Sequence, residues 1–327
     1  MEVRVAHLTA PRVIEWRVSE LSENGLSPTE LLCETRYSCI SPGTEVAAFV
    51  GAPPLRPGPI YPRLVGYCNL ATVVEVGSGV TKAKPGDLVL THQSHRSGFV
   101  VGEGAVLATV NQSANLAKVS AAYLFHLAYA ALLKAHYTPG HKVAVVGLGT
   151  LGLAATALLR ALGGNVVAYS GQSNLAGKAC SIGANALLAK DDSSMHASFD
   201  IVVSTSNLWD DWNLALRLAG PGGTIAMLGF PGRGQEMPAS NPLASEYVYD
   251  KQLTIVACGQ VPNIEVSPQH LRFTLKRNME WLVQLITTEA LHVDHIVSDV
   301  VEPEQLGSVY ERLASREEGL VTAVLKW

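Results

Sequence analysis

The sequence predicts a two-domain α/β chain: an irregular β domain, then a parallel sheet carrying helices on both faces. Three observations predict it. The chain has 327 residues, too long for one ordinary domain and suited to two. Hydrophobic residues make up 48% and charged residues 16%, which allows a large core and argues against disorder. The pattern also changes along the chain, from short runs between turn signals to alternating strands and helices.

In the first third, rich in Gly, Pro, Val and Thr, residues 31–37, 71–76, 87–91 and 98–101 read as short strands. The stretch GAPPLRPGPIYPRL at 51–64 reads as a loop, because proline fixes φ and has no N–H to donate to a ladder. Residues 121–135, AAYLFHLAYAALLKA, are apolar nearly all round and stop before Pro139-Gly140, which predicts a buried helix. Alternation follows. Strands are expected at 143–146, 166–169, 201–204, 224–228 and 253–257, with helices at 150–162, 175–182 and 209–218. After about Val261 come a helix at roughly 268–287, a short strand, a second helix at 304–314 and a last strand ending at Trp327.

Composition narrows the partners. The net charge is −4 and Lys and Arg are not clustered, so there is no nucleic-acid footprint. The longest uncharged run, 143–159, contains Gly147, Gly149 and Gly152 and reads as strand, turn and helix, not as a membrane span. The first residues, MEVRVAHLTAPRVIEW, alternate charged with apolar side chains and lack a signal-peptide apolar region. The five cysteines, Cys33, Cys39, Cys68, Cys180 and Cys258, are scattered and form no CxxC pair, which argues against a disulfide framework. A cytoplasmic protein with no membrane or nucleic-acid partner is expected.

The strongest local signal is KVAVVGLGTLGLAATALLRALGGNVVAYS. Gly147, Gly149 and Gly152 form GxGxxG directly after an apolar strand and at the start of a helix. The first glycine makes the tight turn, the second lets the backbone approach a pyrophosphate, and the third lets helix and strand pack closely. The helix N-terminus, opening at Thr150 and Leu151, then faces the anion. This is the fingerprint of a Rossmann doubly wound dinucleotide-binding domain, and Ser204, ending a later strand, joins the expected cofactor residues. A site preferring NAD usually carries Asp or Glu at the end of the second strand. Here the chain reads Ala168-Tyr169-Ser170-Gly171-Gln172-Ser173, with no acid to repel a 2′-phosphate. Ser170 and Ser173 can donate to that phosphate, and Lys178 lies on the following helix, so NADP(H) is the expected cofactor. Lys178 reads equally well as a solvated helix residue.

Further motifs appear in a recognisable order. They are ISPGTE at 40–45, LVGYCNLATVVEVGSGV at 64–80, KPGDLVL at 84–90 and AGPGGTIAMLG at 219–229. Taken together, the chain resembles the medium-chain dehydrogenase/reductase superfamily, the zinc-type alcohol dehydrogenase-like proteins. The resemblance covers nearly the whole chain. It implies a GroES-like β catalytic domain from both ends (1–119 and 262–327), with the Rossmann domain (120–261) inserted. ISPGTE and THQSHRSGFVV at 91–101 look most like members related to bacteriochlorophyllide hydroxyethyl dehydrogenase. Zinc members of the superfamily hold their metal with a Cys in the first element and a His-Glu pair in the second. Here Ser41 or Pro42 stands at the first position and Tyr67-Cys68 at the second, and the four-cysteine structural lobe is absent. No zinc is expected, since three or four ligands must converge. An improvised set of Cys39, Cys68, His92 and His95 is the alternative, and small apolar filler is the plain reading of Cys39 and Cys68.

Without a metal, a carbonyl or enone must be polarised by hydrogen bonds or a general acid. Ser41, Thr44, Tyr67 and His92 are the candidates, with Tyr67 and His92 expected nearest the reaction. Thr44 and Glu45 read otherwise as loop-fixing residues, His126 as a core histidine, and His95 beside Arg96 as solvated. The resemblance implies a zinc-independent NADP(H)-dependent oxidoreductase acting on a small organic substrate. An activated C=C of an enone or quinone is the first expectation. A ketone reductase or alcohol dehydrogenase using side-chain acids is the second, and a non-catalytic NADPH-binding protein the third. A homodimer is expected, because the apolar strand at 253–257 ends the parallel sheet and leaves an edge to pair; the alternative is that residues 238–249 fold over that edge and leave a monomer.

Overall fold

A computed structural model describes residues 1–21, 25–53, 59–111, 115–171, 175–259 and 274–327. The chain divides into two units, residues 1–123 with 275–289 and 297–327, and residues 124–274 with 290–296. The divisions lie at 123/124 and 274/275, against 119/120 and 261/262 expected, and residues 290–296 group with the second unit.

The first unit is β-rich. Its strands are β1 (Glu2–Ala10), β2 (Val13–Glu20), β3 (Glu30–Cys39), β4 (Arg63–Leu64), β5 (Asn69–Val76), β6 (Leu88–Thr91), β7 (Gly98–Gly102) and β8 (Ala108–Val110). Helix α1 (Pro42–Phe49) follows β3, and α2 (Leu116–Val119) follows β8. β1 and β2 form a hairpin that was not among the expected strands, although Ile14, Trp16 and Val18 alternate with Glu15, Arg17 and Ser19 along β2. The ISPGTE element, expected as a loop-like motif, starts α1 with Pro42 at the first helical turn, where its missing N–H costs nothing. β3, β5, β6, β7 and β8 pair antiparallel in one seven-stranded sheet.

Helix α3 (Ala122–Lys134) contains the division between the units. The second unit then alternates as β9 (Lys142–Val146), α4 (Thr150–Ala161), β10 (Asn165–Tyr169), α5 (Ala176–Ser181), β11 (Ala186–Leu188), β12 (Phe199–Ser204), α6 (Trp209–Leu218), β13 (Ala219–Met227), α7 (Ser245–Val248) and β14 (Thr254–Ala257). Its six strands lie in the order β11-β10-β9-β12-β13-β14, all parallel. In chain order this is 3-2-1-4-5-6, the doubly wound Rossmann arrangement, with the direction of winding reversing between β9 and β12. β9 and β12 are central, so their residues Val143–Val146 and Ile201–Val203 are buried on both faces, which is why these runs are continuously apolar.

The chain returns to the first unit with α8 (Leu275–Thr287), β15 (Val297–Val301), α9 (Leu306–Ala314) and β16 (Thr322–Lys326). β16 pairs antiparallel with β3, and β15 pairs parallel with β16. The helix expected from 268 begins at Leu275. Thr274 is outside it, and 268–273 lie outside the described residues. The helix expected at 304–314 begins at Leu306, after a short 3-10 turn at Pro303–Gln305. Among the described residues no helix is long and apolar enough to cross a membrane.

Candidate active site

In the second unit, the loops at the carboxyl ends of β9, β12 and β13 interlock, and this is the edge of a doubly wound sheet where ligands bind. Gly147 turns with φ +90°, a conformation that side chains rarely adopt. A Cβ on Gly152 would stand 1.9 Å from the Gly147 carbonyl oxygen, so helix α4 can approach the turn only through glycine. Nothing lies within 4 Å of a Cβ built on Gly149, which caps α4 without a side-chain acceptor. The first turn of α4, Thr150, Leu151 and Gly152, therefore presents a helix N-terminus suited to a pyrophosphate. Thr205, which the sequence reading passed over, pins the turn: its hydroxyl donates to the carbonyls of Gly147 at 2.9 Å and Val146 at 3.2 Å. Next to it, the Ser204 hydroxyl is buried and has no hydrogen-bond partner among the described residues. A buried orphan hydroxyl, a glycine cradle and an uncapped helix start fit a dinucleotide. Ser170 is half-buried just after β10, and Lys178 is half-buried on α5. Ser173 lies outside the described residues. His126 is buried on α3.

In the first unit, the structure brings Ser41, Thr44, Tyr67 and His92 into one cluster. The Tyr67 hydroxyl donates to Ser41 Oγ and is also bonded to the Thr44 side chain. The Tyr67 carbonyl oxygen accepts from His92 Nδ1 at 3.3 Å. Tyr123, not singled out from the sequence, completes the cluster. Its ring meets Tyr67 edge-on at 5.7 Å and His92 at 4.4 Å. Burial, with the nearby Cys68 and Glu45 adding to it, pushes the Tyr67 phenol well up, so it stays protonated and can donate. Desolvation lowers the His92 pKa, and the bond to the Tyr67 carbonyl partly offsets that. With Nδ1–H given to that carbonyl, a neutral His92 presents Nε2 as an acceptor.

A buried network stands behind this cluster. Glu45 is 3% exposed and His95 0%, which corrects the expectation that His95 is solvated. Glu45 accepts from the Ser41 amide at 2.7 Å and the Tyr310 hydroxyl at 2.5 Å, and meets His95 Nε2 at 2.8 Å. His95 Nδ1 meets Ser38 Oγ at 2.8 Å, and Ser38 Oγ accepts from Trp327 Nε1 at 2.9 Å. Trp327 Nε1 can only donate, which leaves the Ser38 hydroxyl proton free to point at His95 Nδ1, while the Glu45 carboxylate can accept from His95 Nε2. Gly66 has φ +89°, and its missing Cβ makes room for the His95 ring, which an added Cβ would meet at 2.8 Å. Glu45 thus does more than fix the loop, as the sequence suggested: it anchors Ser41 from behind.

The nitrogen and sulfur donors near this cluster have other partners or are buried as thiols. Both nitrogens of His95 are committed, and Nδ1 of His92 faces a carbonyl. Cys39 and Cys68 are buried, and burial pushes both thiols well up, away from the thiolate a metal needs. Among the described residues no group of three or more His, Cys, Asp or Glu is placed to hold a metal.

Comparison with known proteins agrees with this architecture. The family profile "Zinc-binding dehydrogenase" matches residues 150–273. The chain is 25% identical over 303 residues to "NADP-dependent alcohol dehydrogenase C 1" of Mycolicibacterium smegmatis, covering 79% of this chain and 80% of that protein. Over a shorter stretch of 89 residues it is 35% identical to 2-desacetyl-2-hydroxyethyl bacteriochlorophyllide A dehydrogenase of Rhodobacter capsulatus, 27% of each chain. Among solved structures, the alcohol dehydrogenase of Thermus sp. ATN1 superposes with a TM-score of 0.78 at 18% identity, covering 99% of both chains.

Proposed function

We propose that this chain is a member of the medium-chain dehydrogenase/reductase superfamily of zinc-type alcohol dehydrogenase-like proteins, and that it is an NADP(H)-dependent alcohol dehydrogenase or carbonyl reductase that works without a catalytic metal. Membership makes it an oxidoreductase. The observation that carries the reading is the hydroxyl chain of Thr44, Tyr67 and Ser41. Three hydroxyls joined by two hydrogen bonds leave one proton to give to a substrate oxygen. That is what a carbonyl needs as negative charge grows on its oxygen, and because Tyr67 gives its proton to Ser41, the proton left for the substrate is the Ser41 hydroxyl's, with Tyr67 orienting it from behind. His92, with Nε2 open as an acceptor, suits the reverse direction, taking a proton from an alcohol. Gly147, Gly149, Thr150, Leu151, Gly152 and Ser204 would hold the cofactor, with Ser170, Ser173 and Lys178 toward its 2′-phosphate. The bound cofactor supplies or accepts the hydride. C=O chemistry is preferred to the C=C reduction first expected, because the relative matching four-fifths of its own length is named an alcohol dehydrogenase.

The test follows NADPH oxidation by chelator-treated protein of measured metal content, with aldehydes, ketones, enones and quinones. Turnover with aldehydes or ketones at substoichiometric metal is expected. Turnover confined to enones or quinones returns the C=C reading, and tight NADPH binding without turnover returns the non-catalytic one. Activity that tracks added zinc overturns metal independence.

We propose further that the protein is a homodimer joined through β14. This strand ends the parallel sheet, with Thr254 and Ala257 exposed, and among the described residues no strand pairs with its outer edge. Tyr247 and Val248 lie on helix α7 and pack, like Ile255, against the core of the second unit, and they do not supply a strand to that edge. Pairing with a second copy satisfies the open N–H and C=O groups. Sedimentation at micromolar concentration is expected to show a dimer that Ile255→Lys with Ala257→Lys dissociates. A wild-type monomer would refute the proposal, and a dimer surviving both substitutions would place the interface elsewhere.

A further inference from the structure

We infer that Lys190, held by Asp211, discriminates NADPH from NADH by binding the 2′-phosphate. The inference deepens the NADP(H) reading and rests on it. Lys190 lies two residues past β11, at the carboxyl end of the parallel sheet. Its stem lies along Gly171, just past β10: a Cβ on Gly171 would meet Lys190 Cε at 3.4 Å and Nζ at 3.6 Å. In a doubly wound sheet the adenosine ribose sits at the end of this second strand, where an acid selects NAD and a cation accommodates the extra phosphate of NADP. Here the acid is absent and the cation arrives from the neighbouring strand. Because Gly171 has no side chain, nothing of its own stands between that ammonium and the strand end.

Asp211 explains how the ammonium is held. It lies in the first turn of α6 and is buried, with its side chain 3% exposed, while the Lys190 side chain is 31% exposed. Lys190 Nζ stands 2.5 Å from Asp211 Oδ1. The buried anion fixes one side of the ammonium and leaves the other toward solvent. A 2′-phosphate brings about −1.5 to −2 charges, more than one lysine neutralises, so Asp211 is the counter-ion only until the phosphate shares the cation. The rival assignment makes Lys190 a purely structural partner of Asp211, with Lys178 or the serines taking the phosphate.

The experiment measures dissociation constants of NADPH and NADH for the wild type, Lys190→Gln, Lys178→Gln, Asp211→Asn and the double variant Lys190→Gln/Asp211→Asn, with thermal melting as a folding control. The double variant removes the cation without leaving Asp211 charged and buried. Both variants lacking the Lys190 charge should bind NADPH about 10- to 100-fold more weakly, the loss of one charge-assisted hydrogen bond, with NADH binding changed less than about twofold. Asp211→Asn keeps the cation and should keep the NADPH preference. If the double variant melts like the wild type and still prefers NADPH to the same degree, or if it loses both cofactors equally, the inference is overturned. If Lys178→Gln alone abolishes the preference, the assignment passes to Lys178. A wild type that binds NADH as tightly as NADPH would instead sink the underlying NADP(H) reading.

Discussion

Replacing Glu45 by alanine is expected to lower unfolding stability by about 3–5 kcal/mol, because it leaves several buried donors without an acceptor. The reason is what the carboxylate leaves behind. The Ser41 amide, the Tyr310 hydroxyl and His95 Nε2 all end on it, and Ser41, Tyr310 and His95 are buried. Each buried donor left without an acceptor costs about 1–3 kcal/mol, and relaxation keeps the sum below simple addition. Glu45→Gln should lose less. Its carbonyl can still accept from the Ser41 amide, but its NH₂ group then faces the Tyr310 and His95 donors. Urea unfolding of the three proteins decides it. A loss under about 1 kcal/mol for the alanine variant would mean that the network does not anchor the first unit.

Tyr67→Phe is expected to reduce kcat/KM for a carbonyl substrate by about 10²–10³-fold, the range for losing one donor at a developing oxyanion, because without the Tyr67 hydroxyl the Ser41 hydroxyl is free to turn away from the substrate. Stability should barely move, because the ring that packs edge-on against Tyr123 is kept. The loss should also be nearly uniform from acid to neutral pH. Burial holds the Tyr67 phenol well above its ordinary value, so the hydroxyl does not ionise in that window. His92 titrates separately. Its lowered pKa keeps it neutral at neutral pH, so any limb due to His92 falls below the ordinary imidazole value and persists in Tyr67→Phe. Steady-state rates across pH provide the check. An undiminished kcat/KM would remove Tyr67 from the chemistry.

The cofactor half was largely legible in the sequence, because its constraints are local. Gly147, Gly149 and Gly152 lie on one turn, where the demand for φ +90° at Gly147 and the 1.9 Å approach at Gly152 act between near neighbours in the chain. The parallel strands were legible for a similar reason, since burial on both faces leaves continuous apolar runs such as Val143–Val146. β2 carries a different mark, the alternation of Ile14, Trp16 and Val18 with Glu15, Arg17 and Ser19, which suits a strand exposed on one face and paired with β1.

The polar half was legible as a set of residue types and not as an arrangement. Ser41, Thr44, Tyr67 and His92 were nameable because they stand where the metal ligands or strand ends of the superfamily the chain resembles would be. What holds them came from far along the chain. Glu45 meets His95 across 50 positions and Tyr310 across 265, and Lys190 reaches both Gly171 and Asp211 from separate strands and a helix. By itself the sequence determined the strand–turn–helix that receives a dinucleotide, since chain sterics and apolar periodicity operate over a few residues. Only the tertiary structure decided which histidine is buried, which acid anchors Ser41 and which lysine stands at the end of β10. A charged side chain is tolerated in the interior only beside a partner, and here folding brings that partner from a distant part of the chain.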